Sequence, residues 1–231
     1  NWEVKILRWP LKKLWSQKRL ALELLFHPPD IFFAPGQLIP LVTPRKTITM
    51  IHDSAFVARP ELYRFWGRQY LRFMNWLIVK KSARILTSSS FNKSELGKFY
   101  GASAGAKTAV IPHAYNATVF HPGVATGRIA EKYRVTNPFI MTTGRLETKK
   151  NTRRLIEAYD IIKKQHDIQL VLAGQPGYGY PAVRGAIQKS PNKKDIIIPG
   201  YVEQSGLPGL VARAKVFVFP SAYEGFGIPL L

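Results

Sequence analysis

Residues 139–151 read FIMTTGRLETKKN, and this stretch decides the class of fold. It runs from an apolar segment, Phe139 to Thr142, through Gly144 and several cationic residues into an amphipathic segment at 151–164. A short apolar run, a glycine turn and a longer helical pattern are typical of a strand followed by a helix. The apolar segment does not alternate with polar residues, so we predict a strand covered on both faces, as in a parallel sheet.

The same alternation of strand and helix patterns extends in both directions and predicts an α/β protein with parallel sheets. The predicted strands are Thr47 to Ile51, Arg84 to Thr87, Thr108 to Ile111, Phe139 to Thr142, Gln169 to Ala173, Ile196 to Ile198 and Lys215 to Phe219. The clearest predicted helices are about Glu61 to Lys81, Asn151 to Lys164 and Ser205 to Ala212.

The pattern breaks between His113 and Pro138, where His121-Pro122-Gly123 and Thr126-Gly127 interrupt it. We therefore predict two domains, 1–118 and 119–231.

Two stretches combine aromatic or apolar residues with regularly spaced cations. In the helix after Pro60, Tyr63, Trp66, Tyr70, Phe73 and Leu77 are predicted to face the core, and Arg64, Arg68 and Arg72 lie on another side. The N-terminal segment has a similar pattern in Leu7, Leu11, Leu14 and Trp15 with Lys12, Lys13, Lys18 and Arg19. Each cationic side is either a solvated face or a surface for anionic lipid.

Composition limits the function classes. The chain has 231 residues, 46% of them hydrophobic, which is enough apolar material for one large or two modest cores. Cysteine is absent, which excludes disulfides and thiolate zinc sites. No apolar run approaches the roughly 20 residues needed to cross a bilayer, and no secretory signal is visible, so we expect a cytoplasmic protein. The net charge of +20, spread over both halves, attracts polyanions in general.

Three clusters follow predicted strands in the second half, where open α/β sheets bind ligands. The first is 142–151, in which Gly144 lets the backbone approach a ligand, and Arg145 and Lys150 are suited to phosphate oxygens. The following helix would add its free N–H groups. The alternative is an ordinary loop with solvated lysines.

The second cluster is the glycine-rich loop 173–179, which includes Gly174 and is a weak signal alone. The third is 219–229, FPSAYEGFGIP. Here Glu224 stands among apolar residues and between glycines. A carboxylate in this setting can accept hydrogen bonds from sugar hydroxyls, and the glycines expose backbone N–H groups.

The third cluster closely resembles the donor-site signature of GT-B glycosyltransferases of family 4, Pro-Ser-x-x-Glu-Gly-Phe-Gly. Glu224 matches the first of that family's two glutamates, and the second would be residue 232. Further matches follow in the family's order: Ile51-His52-Asp53, Ser89-Ser90 with Glu95-Leu96, Val110-Ile111-Pro112 leading to Val119-Phe120-His121-Pro122, and Gly144-Arg145 with Lys150-Asn151.

The resemblance implies two Rossmann-like domains facing each other across a cleft, the donor bound mostly by the second and the acceptor by the first. It implies a retaining transferase that uses a nucleotide-diphosphate sugar and needs neither a cofactor nor a metal; the sequence has no Asp-x-Asp pair to hold one. The implied catalytic residues are His52, Arg145, Lys150 and Glu224. The implied donor-binding residues are Gly144, Gly174, Ser221, Gly225, Phe226, Gly227 and Ile228. For His52, the alternative is a loop-closing histidine bonded to Asp53.

The resemblance also implies a hexose donor, with mannose on a guanosine diphosphate as the first expectation. The acceptor would be a glycan or a lipid-linked glycan in cell-surface polysaccharide synthesis, with the protein peripheral on the inner face of the plasma membrane. Rival readings are a sugar-nucleotide epimerase or a phosphorylase on the same fold. A nucleic-acid-binding module ranks behind them because the charge is dispersed and the aromatics have core spacing, so no nucleic-acid partner is expected.

The sequence departs from the family pattern in two places. Pro112-His113-Ala114 replaces the family's Pro-Asn-Gly, and the glycine-rich loop after the family's first strand has no counterpart. We therefore expect the chain to be a fragment, truncated at both ends, with weak nucleotide binding and little turnover.

Overall fold

The computed structural model describes residues 3–11, 14–124, 129–135 and 138–231. The chain divides into two compact units, 1–113 and 114–231. The sequence prediction placed the division after residue 118. Of the predicted features, Lys12 and Lys13 and the Thr126-Gly127 break lie outside the described residues.

The first unit is built on a four-stranded parallel sheet in the order β1-β2-β3-β4. Its strands are β1 (Phe32–Ala34), β2 (Thr47–Met50), β3 (Arg84–Thr87) and β4 (Thr108–Val110). Its α-helices are α1 (Ala21–Phe26), α2 (Ala55–Ala58), α3 (Phe65–Lys81), α4 (Ser90–Tyr100) and α5 (Ala102–Ala106), with a π-helical turn at Ser16–Leu20 and a 3₁₀ turn at Pro60–Leu62. Sequence reasoning missed β1, because three residues are too few to display a strand pattern.

Helix α3 corrects one expectation from the sequence. Its core contacts come from Met74, Leu77 and Ile78, which pack with strand residues of the first unit. Trp66, Tyr70 and Phe73, predicted to face the core, are exposed, with Trp66 at 81%. No side chain between residues 65 and 73 is buried. The predicted face was wrong because only the C-terminal half of the helix packs against the unit.

The second unit has a four-stranded parallel sheet in the order β7-β6-β5-β8. Its strands are β5 (Phe139–Thr143), β6 (Gln169–Ala173), β7 (Ile196–Gly200) and β8 (Val216–Phe217). Its α-helices are α6 (Ile129–Lys132), α7 (Thr152–Ile162), α8 (Tyr180–Lys189) and α9 (Leu207–Arg213), with 3₁₀ turns at Lys193–Asp195 and Ile228–Leu230. The predicted α/β class with parallel sheets is confirmed in both units.

The two central strands of this sheet are covered on both faces, as the apolar run at 139–142 predicted. Every residue of β6 is buried. Helices α7 and α8 pack on one side, where Tyr159 of α7 is 1% exposed and donates its hydroxyl to the Ile168 carbonyl at 3.0 Å. Burial raises the pKa of Tyr159 to about 12, so the phenol stays a neutral donor at physiological pH. This core fixes the carboxyl ends of β5 and β6.

Two substitutions in α3 test which side of the helix is core. Leu77→Ala should lower the free energy of unfolding by about 2–5 kcal/mol, because it leaves a cavity in the first unit. Trp66→Ala should change it by less than about 0.5 kcal/mol, because the indole is solvated. Urea denaturation followed by circular dichroism measures both. Equal losses in the two variants would contradict the assignment.

Candidate functional site

The three clusters expected from sequence follow three adjacent strands of the second sheet. The loop 144–151 follows β5, the loop 174–179 follows β6, and the loop 218–227 follows β8. Because the strands are parallel, their carboxyl ends lie at one edge of the sheet. The loop after β5 occupies the middle and contacts the other two.

Lys150 and Glu224 form the central contact of the site. The Lys150 ammonium donates a hydrogen bond to Glu224 Oε1, and the two side chains form an ion pair. Each side chain is 24% exposed, so the pair is sheltered but open to a ligand. The Lys150 Nζ also lies 4.7 Å from the centre of the Phe219 ring, within the range of a cation–π contact. Residues 74 positions apart thus share one charged centre.

A backbone contact holds the same two loops together. The Ala222 N–H donates to the Lys149 carbonyl at 2.8 Å, beside the Lys150–Glu224 pair. The Ser221 hydroxyl oxygen is buried and has no hydrogen-bond partner among the described residues. Gly227 has φ +91°, a value that disfavours any side chain, and it precedes the 3₁₀ turn containing Ile228. Gly225 is buried beside Glu224, and Phe226 is half-buried.

The loop 174–179 supports the loop 144–151 closely. A Cβ on Gly174 would lie 1.7 Å from the Gly144 carbonyl oxygen, and Gly144 itself has φ +121°. Leu146 N–H donates to the Gln175 carbonyl at 2.9 Å, and Gly177 N–H donates to the Leu146 carbonyl at 3.1 Å. The glycine at 174 is therefore required for close backbone packing, which positions Gly144 and the residues that follow it.

Arg145 is exposed at the same edge, immediately after Gly144. Its stem packs near Gly177, where a Cβ would approach Arg145 Cβ to 3.2 Å. Within the ranges that the structure describes, its guanidinium forms no ion pair. The Cβ of Arg145 is thus packed near Gly177, and its guanidinium is exposed at the edge of the sheet.

Asn151 occupies the N-cap position of α7 in a left-handed conformation, φ 55° and ψ 29°. Its side chain makes no capping hydrogen bond, and the first turn of α7 carries no acidic residue. An unopposed positive helix end therefore adjoins Lys150, which favours an anion at this edge.

His52 lies in the first unit, just after β2. Its Nε2 is 2.9 Å from the Pro35 carbonyl oxygen, so this nitrogen carries the proton and donates. The ring stacks against His113 with 5.9 Å between centroids and 15° between planes. The imidazole is exposed, and its Nε2 hydrogen bond is made to the Pro35 carbonyl and not to Asp53.

A cavity of about 550 Å³ lies within the second unit, beside these loops. Its wall is mostly apolar and includes Phe120, Thr143, Val211, Phe217 and Ile228. Arg145, Lys150 and Glu224 are not part of the wall. The cavity therefore suits an uncharged group, whereas the charged edge suits an anion.

Sequence reasoning missed three contributors. Phe219 beneath Lys150, the interlock of Gly174 with Gly144, and the His113 ring on His52 depend on distances between residues far apart in the chain. His113 carried a partial signal, since it stands where the family pattern has asparagine.

The chain is similar to known glycosyltransferases in sequence. Residues 127–231 match the family model described as glycosyl transferases group 1. The O-antigen chain mannosyltransferase B of Escherichia coli is 24% identical over 225 residues, which cover 96% of this chain and 57% of that protein. The serotype-specific mannosyltransferase WbdA of Escherichia coli is 26% identical over 197 residues, covering 81% of this chain and 24% of that protein. The chain thus spans little more than half of the first relative.

Solved glycosyltransferase structures share the fold of this chain. WaaG, a glycosyltransferase involved in lipopolysaccharide biosynthesis, superposes with a TM-score of 0.73 at 14% identity, covering 92% of this chain and 59% of that one. Anabaena HepE in complex with UDP-glucose gives 0.71 at 16% identity, covering 93% and 60%. At these identities the likeness shows the fold.

The chain has the fold of the GT-B glycosyltransferases, and residues 127–231, slightly less than half of it, match glycosyl transferases group 1. The two relatives compared above are mannosyltransferases, to which this chain is similar at 24% and 26% identity.

Substitution at Gly174 tests the interlock of the two loops. Gly174→Ala should lower the free energy of unfolding by about 1–3 kcal/mol, because its methyl group would overlap the Gly144 carbonyl. Gly185→Ala in α8 is the matched control, since nothing lies within 4 Å of its added Cβ, and it should stabilise by up to about 1 kcal/mol. Thermal unfolding compares the two. A neutral Gly174→Ala would contradict the interlock.

Proposed function

We propose that the chain belongs to a retaining hexosyltransferase that takes its sugar from a nucleotide-diphosphate donor bound at the edge formed by β5, β6 and β8. The observation that carries the proposal is the Lys150–Glu224 contact, which joins a phosphate-binding cation to a sugar-binding carboxylate. Two relatives are mannosyltransferases, and HepE was solved with UDP-glucose. Mannose is therefore the first candidate sugar, and the nucleotide is to be found by a screen.

The diphosphate would bind between Arg145, Lys150 and the start of α7. Arg145 offers a planar fork of donors, Lys150 a point charge, and Gly144 lets the ligand approach the backbone. These groups stabilise negative charge that grows on the leaving diphosphate during transfer, so they act mainly on the transition state. The absence of an Asp-x-Asp pair in the sequence and the number of cations support metal independence as part of the proposal.

Glu224 would accept hydrogen bonds from the donor sugar's hydroxyls. Backbone groups of Gly225, Phe226, Gly227 and Ile228 and the buried Ser221 hydroxyl would surround the same sugar. The bond from the anomeric carbon to the phosphate oxygen breaks, and a bond to the acceptor hydroxyl oxygen forms on the same face. The hydroxyl proton leaves with the diphosphate. Retention can be checked from the anomeric coupling constant of the product.

His52 would act from the first unit, near the acceptor. Its Nε2–H is committed to the Pro35 carbonyl, which leaves Nδ1 as the lone-pair nitrogen. This nitrogen would accept a hydrogen bond from a sugar hydroxyl. The acceptor would be a glycan or lipid-linked glycan of a cell-surface polysaccharide, elongated at the inner face of the plasma membrane.

The donor site is tested by binding of GDP, UDP and ADP and their sugar conjugates to the chain, measured by calorimetry. One nucleotide should bind selectively, and Arg145→Ala and Lys150→Ala should each weaken it by about ten-fold or more, because a hydrogen bond to a charged group is lost. Arg213→Ala and Lys189→Ala, exposed cations of α9 and α8, are the matched controls. Equal losses of nucleotide affinity in all four variants would indicate only general charge attraction and would contradict the proposed donor site.

The role of Glu224 is tested by Glu224→Gln. This change removes the anionic partner of Lys150, so affinity for the nucleoside diphosphate should hold or rise a few-fold. Affinity for the nucleotide sugar should fall about ten-fold, because a charge-assisted hydrogen bond to the sugar is lost. Glu157→Gln, an exposed carboxylate paired with Arg153, is the control. If both ligands weakened equally, Glu224 would be a structural residue and not a sugar ligand.

A further inference from the structure

One glutamine side chain joins the loop after β1 to the loop that carries His52. The His52 N–H donates to Gln37 Oε1 at 3.2 Å, and Gln37 Nε2 donates to the Asp53 carbonyl at 2.7 Å. The same loop after β1 supplies the Pro35 carbonyl, which accepts a hydrogen bond from His52 Nε2 at 2.9 Å. Gln37 therefore keeps the acceptor of the imidazole's hydrogen bond in register with the backbone of His52 itself.

The Gln37 amide is in turn anchored to the core of the first unit. Its Nε2 donates a second hydrogen bond, to Asn75 Oδ1 at 3.0 Å. Asn75 is buried on α3, beside the core residue Met74. Both hydrogens of the Gln37 NH₂ group and a lone pair of its oxygen are in use, so this arrangement gives the side chain one orientation.

The backbone that precedes His52 is held by other side chains. The Ile51 carbonyl accepts hydrogen bonds from Thr87 Oγ1 at 2.9 Å and from Asn92 Nδ2 at 3.0 Å. Thr87 ends β3 and Asn92 lies in α4, and all three residues are buried. The peptide groups on both sides of His52 are therefore fixed by parts of the first unit that lie far apart in the sequence.

The imidazole of His52 is ordered as well, although it is exposed. One edge donates to the Pro35 carbonyl, and one face lies against the His113 ring, with 5.9 Å between centroids and 15° between planes. His113 follows β4 and belongs to the first unit. Ordering an exposed ring costs side-chain entropy and buries little surface, so these contacts contribute little to the stability of the unit.

Such ordering suits a ring that must present one particular nitrogen. A neutral imidazole carries its proton on either nitrogen, and the hydrogen bond made by one nitrogen sets the state of the other. With Nε2–H directed to the Pro35 carbonyl, Nδ1 of His52 is the acceptor. A ring that was free to turn would lose the direction of this lone pair, and a misplacement of about 1 Å can lower the rate of a reaction by about a hundred-fold.

We propose that Gln37 and His113 are positioning residues of the acceptor site. Gln37 holds the Pro35 carbonyl against Nε2 of His52, and His113 holds the face of the ring, so that Nδ1 is presented to a sugar hydroxyl. The part that Nδ1 plays toward the hydroxyl rests on the proposed function. The fixed tautomer does not, because it depends on contacts within the first unit alone.

The test is the tautomer of His52, measured by nitrogen-15 NMR of the histidine-labelled chain at mildly alkaline pH, where ordinary imidazoles are neutral. The signals that disappear in His52→Gln assign the ring. The parent chain should show a single tautomer with the proton on Nε2. Gln37→Leu and His113→Ala should each give signals averaged over the two tautomers, because the ring is then free to turn.

Gln17→Leu is the matched control for Gln37→Leu. Gln17 forms an equivalent bridge in the same unit, donating to the Ile39 carbonyl at 2.9 Å and accepting from the Leu41 N–H at 2.9 Å. The two glutamine variants should lose similar amounts of thermal stability, because each removes a side chain that bridges two segments. Only Gln37→Leu should change the tautomer of His52.

His113→Phe is the conservative variant of the second positioning residue. It keeps a flat ring against His52, so it should retain the single tautomer that His113→Ala loses. Nucleotide affinity, measured by calorimetry, should stay within about two-fold of the parent chain in all of these variants, because the proposed donor site lies in the second unit. Circular dichroism checks that each variant is folded, and His113→Ala with His113→Phe tests the proposal even if Gln37→Leu fails to fold.

Two results would overturn the proposal outright. One is a parent chain in which His52 shows averaged tautomers or a proton on Nδ1, and the other is loss of the single tautomer in Gln17→Leu, which would mean that the signal follows general stability. An unchanged His52 signal in Gln37→Leu or in His113→Ala would overturn the role of that residue. A single Nε2–H tautomer in a chain that binds no nucleotide would support the positioning and contradict the donor site instead.

Discussion

The contact between Lys150 and Glu224 depends on the strand order of the second sheet, which places the loops after β5 and β8 side by side. Lys150 lies near the end of the loop after β5, and Glu224 lies on the loop after β8. The two residues meet because β5 and β8 are parallel neighbours in the sheet. The pair is half-sheltered, so removing either partner would leave the other charge poorly compensated. Under the proposed function, the phosphate and hydroxyl groups of the donor would take the place of this contact, one group for each partner.

The loop that carries Arg145 and Lys150 has little freedom of its own. It is held from one side by Gly174 and Gly177 and from the other by the Ala222 N–H on the Lys149 carbonyl. Both supports are backbone contacts, which vary less than side-chain contacts when rotamers change. Such a frame holds cations before a ligand arrives, and preorganised charge is the form of electrostatics that contributes most to stabilising a transition state.

The first unit combines a small parallel sheet with helix α3, of which only the C-terminal half packs in the core. Helix α3 buries Met74, Leu77 and Ile78 and leaves the rings of its first half in solvent. Solvated aromatic rings contribute little to the stability of the unit and lower its solubility.

The sequence by itself determined the α/β class, seven of the eight strands found in the described residues, and the three clusters at strand ends. Strand and helix periods and glycine turns are local properties of the chain, which is why a sequence pattern shows them. It also showed that two of these clusters carry the cations and the carboxylate that we propose for binding phosphate and sugar. Only the tertiary structure decided that Lys150 pairs with Glu224 over Phe219, that Gly174 serves the backbone of Gly144, and that His52 donates to Pro35. It also decided that α3 turns its aromatics outward. These outcomes depend on the order of the strands in each sheet and on which part of a helix packs against the sheet. A local pattern of residues in the sequence shows neither.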